Sequence, residues 1–141
     1  MKEHGFELVP DENSLIVHVR GKTLEELFQN AVRAVASFLK DGATLMKPEG
    51  GAEKHAIHIE AVDIHSLLVD YLSKIVADSD MYGRIFLNAT FSKFGENFLE
   101  GELSGYPTET FDNEIKAVSY SDVDIHKTPA GYFEVSLAFD V

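Results

Sequence analysis

At 141 residues, with 45% hydrophobic and 26% charged residues, the chain has the length of one domain and the makeup of a soluble globular protein that buries its core without staples. Its formal net charge of −12 repels phosphate backbones, which argues against direct nucleic-acid binding, and it favours cations or basic protein partners. The sequence has no cysteine, which removes disulfides, thiolate catalysis and zinc–thiolate sites; no apolar run reaches membrane-spanning length, and the opening MKEHGFELVP lacks the apolar core of a secretory signal, so a cytoplasmic protein is expected.

A turn at PDEN, residues 10–13, leads into SLIVHVR. There Leu15, Val17 and Val19 alternate with Ser14, Ile16, His18 and Arg20, the period-2 pattern of a strand with one buried face. The period then changes. Leu24, Leu27, Phe28, Ala31, Val35, Phe38 and Leu39 recur at helical spacing. Thr23 with Glu26 three residues on has capping-box spacing, and Gly42 stands where a left-handed cap costs little.

DGATLMKPEGG, residues 41–51, reads as a connection and KHAIHIEAV, residues 54–62, as a strand. A second helix is expected over DIHSLLVDYLSKIVADSD with Asp63 as its N-cap. After Gly83 the chain reads as β-rich: RIFLNATFSKF and NFLEGELSGY form a hairpin across Gly95, and IKAVSYSDVDIHK and GYFEVSLAFDV form another across TPAG. The order is β-β-α-β-α followed by about four strands. It predicts a single α+β domain over residues 1–141, with two helices packed on a mostly antiparallel, mixed sheet.

Chemistry is sparse. Neither glycine-rich phosphate loop occurs, nor an HExxH helix, nor the G-x-S-x-G elbow, and no catalytic residue is assigned. His55 and His58 lie an odd offset apart on one strand, so they face opposite ways and cannot share a metal. The histidines in general read as solvated or edge residues. Asp122 and Asp124 would share one strand face, and Asp11 and Glu12 sit where acids are common for turn reasons. The close is different. A strand delivers Asp140 and the carboxylate of Val141 to one place, and a hard cation needs further oxygens beside them.

Four stretches, in order, resemble the archease family. GKTLEELFQNAV resembles the family's first helix start and DIHSLLVDYLSKI its second helix. IKAVSYSDVDI is similar to its Lys-Ala-x-Thr-Tyr-His segment, and FEVSLAFDV to its Phe-Asp-Ile/Val ending. Order and spacing agree from about Phe6 to Val141. The resemblance implies an α+β fold and a non-enzymatic, cytoplasmic accessory role in tRNA splicing: promoting guanylylation and multiple turnover of an RtcB-type RNA ligase. It implies a divalent cation, Ca²⁺ or Mg²⁺, at a site made by an N-terminal His-Thr-Ala-Asp turn and the C-terminal Asp with the terminal carboxylate.

In this chain those positions are Asp11, Ser14, Asp140 and Val141. Ser14 stands where the family has Asp and Asp11 where it has His, so one charged ligand is replaced by a weak neutral one. Lys116 and Tyr120 are retained as partner-binding residues, while Ser121 stands for the family's His. Away from the resemblance, Lys116 reads as a strand-edge lysine and Tyr120 as a cross-strand packing aromatic. The alternative to ligase activation is a diverged, chaperone-like protein-binding module of the same fold.

Overall fold

The computed structural model describes residues 5–43 and 53–141. The element order is β1 (Phe6–Pro10), β2 (Ser14–Gly21), α1 (Leu24–Leu39), β3 (Glu53–Glu60), α2 (Ile64–Tyr82), β4 (Arg84–Phe94), β5 (Phe98–Pro107), β6 (Ala117–Val118), β7 (His126–Lys127) and β8 (Phe133–Asp140). Most of the connection read at 41–51 lies outside the described residues.

The strands form two sheets rather than one mixed sheet. A five-stranded sheet runs β1-β2-β8-β6 with β7 also on β8, and a three-stranded sheet runs β3-β5-β4. Every one of these pairings is antiparallel. Alternation sets which face of a strand is buried but not which strand it pairs with. Here β3 takes the free edge of the β4–β5 hairpin, with Glu53 opposite Gly105 and Glu60 opposite Phe98.

The β2 alternation holds: Leu15, Val17 and Val19 are buried, and the intervening side chains are half-exposed. Helix α1 packs on β2 of one sheet and on β4 of the other. It therefore hides more than a single stripe, burying Val32, Ala34 and Ala36 as well as Leu27, Phe28, Ala31, Val35 and Leu39. The Thr23 hydroxyl accepts the Glu26 N–H at 3.1 Å, and the Glu26 carboxylate accepts the Lys22 N–H at 2.9 Å. That is a capping arrangement reaching one residue further back than the standard box.

Gly42 is left-handed at φ +76°, but it is not the cap of α1. Lys40 caps the helix in an extended conformation, its N–H on the Ala36 carbonyl, and Gly42 serves the turn beyond. Helix α2 is capped by the Asp63 carboxylate on the Ser66 N–H at 2.8 Å and ends on left-handed Gly83. Leu67, Leu68, Tyr71, Leu72 and Ile75 are all fully buried. The Tyr71 ring lies 5.2 Å from Phe28 and 5.9 Å from Phe91, tying the helices to β4.

The expected strand over 115–127 is reduced to two two-residue bridges, β6 and β7, with an arm between them. Ile115 and Val118 are both buried although their offset is odd, so a straight strand cannot carry both inward. Asp122 takes φ 61° in a turn, so it does not share a strand face with Asp124. The two hairpins across Gly95 and TPAG are present: Gly95 N–H bonds the Phe98 carbonyl at 2.8 Å, and Thr128 N–H bonds the Tyr132 carbonyl at 2.7 Å.

Candidate functional site

The end of the five-stranded sheet gathers most of the residues singled out in the sequence. Strand β2 begins and β8 ends there, in a register that sets Ser14 opposite Asp140. On the other flank of β8, Ala117 of β6 is also opposite Asp140. Register partners share a face, and Leu15 and Phe139 next to them point into the core, so Ser14, Asp140 and Ala117 stand on the outer face. Backbone bonds hold the acid on both sides. Lys116 N–H donates to the Asp140 carbonyl at 2.7 Å, and Val141 N–H donates to the Asn13 carbonyl at 3.3 Å. Asp140 itself is exposed, a charge on a fixed backbone and open to a partner.

Asp11 closes the β1–β2 turn, its N–H on the Ser14 carbonyl at 2.8 Å. Its carboxylate accepts the N–H of its own neighbour Glu12 at 2.8 Å, the local turn role common for Asp. Directly on the strand ladder the charged side chain is Asp140, with the Ser14 hydroxyl as its neutral neighbour, and the turn bond of Asp11 uses one of its two carboxylate oxygens. Among the described residues no group of three or more His, Asp or Glu side chains is placed to hold a metal ion. A hard cation takes six to eight oxygens, so the side chains here fit only part of a coordination shell.

Tyr120 lies three residues beyond Ala117, on the segment that follows β6. It is not a cross-strand packing residue: it is 61% exposed and its phenol O–H donates to the Asp70 carboxylate on α2. That bond, followed by partial desolvation and the negative charge of Asp70, raises the Tyr120 pKa. A second tie follows, the Ile125 N–H on His65 Nδ1 at 3.2 Å. Together they fasten the 119–125 arm to α2.

The histidines are not uniform. His58 faces solvent between two carboxylates, Nδ1 2.7 Å from Glu100 and Nε2 2.9 Å from Glu60, and these hydrogen bonds raise its pKa. His55, on the opposite face as its offset requires, is packed inward rather than solvated, 5.1 Å from the Phe86 ring and 5.7 Å from Tyr82.

One feature left no sequence signal. A groove of about 940 Å³ lies between the second half of α2 and the segment 111–118, with Leu39 at its end and Lys116 on its wall. Its two sides are far apart in the sequence, and although Ser73 and residues 115–118 fall in family-like stretches, nothing in the sequence brings them together.

This frame of two helices on two antiparallel sheets is the architecture of a known family. The model of the archease protein family (MTH1598/TM1083) matches residues 6–141: the chain belongs to the archease family. Protein archease of Thermoplasma acidophilum is 32% identical over 133 residues, covering 92% of this chain and 90% of the relative. Protein archease of Methanosarcina mazei is 31% identical over 120 residues, covering 79% and 80%. In fold, the solution structure of Methanobacterium thermoautotrophicum protein 1598 superposes with a TM-score of 0.69 at 23% identity, covering 98% of this chain and 99% of that one. The crystal structure of Thermotoga maritima TM1083, described as "an archease, possible chaperone", has a TM-score of 0.63 at 14% identity and covers 89% of each chain. Among the described residues, no helix is long and apolar enough to cross a membrane.

Proposed function

We propose that this archease is a cytoplasmic accessory protein, not itself a catalyst, that promotes guanylylation and repeated turnover of an RtcB-type tRNA-splicing RNA ligase. The observation that carries the reading is the strand-end acid. Asp140 is pinned between Ser14 and Ala117, with Lys116 bonded to its carbonyl, and its side chain is free. A ligase that transfers nucleotides gathers cations around phosphate. A rigid acidic tip on a chain of net charge −12 is complementary to such a site and speeds encounter with it.

Asp140, with Val141 beside it and Ser14 across the ladder, is the donor set for Ca²⁺ or Mg²⁺. A cation there would neutralise phosphate charge, and its remaining ligands would come from the partner. Lys116 belongs to the docking surface beside it. Tyr120 supports that surface by holding the arm on α2.

The test is ligase guanylylation and multiple-turnover ligation with and without the protein. Asp140→Ala is expected to abolish the stimulation while leaving the melting temperature unchanged, because the bonds that fix the strand end are backbone bonds. Ser14, neutral where a second carboxylate would complete the pair, favours one other reading, a chaperone-like protein-binding module that does not activate a ligase. A ligase whose guanylylation and turnover the wild-type protein leaves unchanged would establish that reading in its place, whereas full stimulation by Asp140→Ala would remove Asp140 from the mechanism.

A further inference from the structure

The groove between α2 and the 111–118 segment has no role in the strand-end site apart from the shared Lys116 and Ala117. Its volume, about 940 Å³, is that of a pocket for a sizeable ligand or for a few side chains. Its apolar surface comes from Leu39, Val76, Phe111, Ile115 and Val118. The outer wall is built in place. Asp112 and Asn113 donate their backbone N–H groups to the Leu39 carbonyl at 2.8 and 3.4 Å. The Asn113 amide donates to the Phe38 carbonyl at 2.9 Å, and the Asp112 carboxylate accepts the Asp41 N–H at 2.7 Å.

Two independent observations say what the groove would take. Ser79, on its lining, is 1% exposed, and its hydroxyl has no hydrogen-bond partner. Buried hydroxyls are nearly always paired, and an unpaired one is destabilising until a polar group reaches it. Among the described residues, the charges on the lining are Asp80, Asp112 and Glu114 against Lys116. An acidic rim repels phosphates and carboxylates and attracts cationic side chains.

We propose that this groove docks a short segment of a partner protein. One bulky apolar side chain would sit between Val76 and Phe111, a backbone amide or carbonyl would meet the Ser79 hydroxyl, and flanking Lys or Arg would face Asp80 and Glu114. The identity of the partner rests on the ligase reading; the chemistry of the segment does not.

The experiment titrates isotope-labelled protein with short peptides carrying a central Leu or Phe flanked by Lys and Arg, and with matched peptides flanked by Glu. The basic-flanked peptides are expected to shift amides of residues 73–80 and 111–118 and to bind about tenfold more tightly than the acidic set. Ala77→Arg, at an exposed position in this stretch of α2, should abolish that binding. Asp80→Lys with Glu114→Lys should invert the preference. Shifts elsewhere on the molecule, or equal binding of the two sets, would overturn the proposal.

The same peptides are then added to a mixture of the protein with a purified RtcB-type ligase. Displacement identifies the ligase as the occupant. Peptide binding without displacement removes the ligase from the groove. A ligase unaffected by the wild-type protein refutes the ligase reading, and the peptide titration still decides the groove.

Discussion

The Tyr120–Asp70 bond makes a sharp prediction because it is the main side-chain tie between the 119–125 arm and α2. Tyr120→Phe removes one oxygen and leaves the ring, while Asp70, half-exposed, is rehydrated when the phenol is gone. A hydrogen bond to a charged group contributes about 1.5–3 kcal/mol where it is buried. Tyr120 is 61% exposed, so water competes for both partners, and the expected coupling in a double-mutant cycle with Asp70→Asn is about 1 kcal/mol or less.

The pH dependence has a definite sign. The phenol pKa is raised in the folded state, so its contribution to stability is complete below the ordinary tyrosine value of about 10. It is lost as pH rises through the raised value, when two anions face each other. The assay is an ultraviolet difference titration of tyrosinate, wild type against Tyr120→Phe. Tyr71 stays out of the way because full burial pushes its phenol far up. Tyr120 should ionise later than an ordinary tyrosine and return toward the ordinary value in Asp70→Asn. Ionisation at the ordinary value in both proteins, or strictly additive single and double mutants, would refute the clasp.

Two further outcomes follow from the same structure. His58, held between Glu60 and Glu100 with its pKa raised above the usual 6.5, stabilises the fold fully below about pH 6.5 and loses that contribution as pH rises through its folded value. NMR titration of the imidazole should show the raised value falling in both Glu60→Gln and Glu100→Gln, and an unmoved imidazole would remove the pair from the account. Thr23→Ala deletes the acceptor for the Glu26 N–H at the start of α1 and should cost about 1 kcal/mol by chemical denaturation; no loss would show that the Glu26 bond to Lys22 caps the helix alone.

The parts of the fold that are local in the chain are legible in the sequence. The β2 alternation, both helices and both hairpins follow from periods of 2 and 3.6 and from residues such as Asp63 and Gly83. What the sequence hides is non-local. The separation into two sheets depends on β3 choosing β5, which no period encodes. The segment from Ile115 to Lys127 reads as a strand because it is apolar at intervals, yet Tyr120 reaches across 50 residues to Asp70 and breaks the ladder. At the site, the ending FDV points to Asp140 from sequence alone. The partnership with Ser14 and the Lys116 bond is a matter of register, and in the turn one Asp11 carboxylate oxygen accepts the Glu12 N–H.

Ser14 is the position at which the strand-end reading is most exposed to test. It lies directly opposite Asp140 on the outer face, and Cβ atoms of such pairs are about 4.5–5.5 Å apart. Ser14→Asp would therefore set two carboxylates side by side on a rigid ladder. Without a divalent cation, like charges opposite one another are destabilising, and the melting temperature in chelator should fall below that of wild type. With Ca²⁺ the two carboxylates become joint ligands, and binding stabilises the folded state in proportion to the logarithm of ligand concentration over Kd. The variant should therefore gain far more from added Ca²⁺ than wild type does, measured by thermal shift and calorimetry, and Asp140→Ala in the same background should erase the gain. If Ser14→Asp melts as wild type in chelator and ignores Ca²⁺, the two side chains do not meet as the register requires, and Asp140 acts only as a lone surface charge.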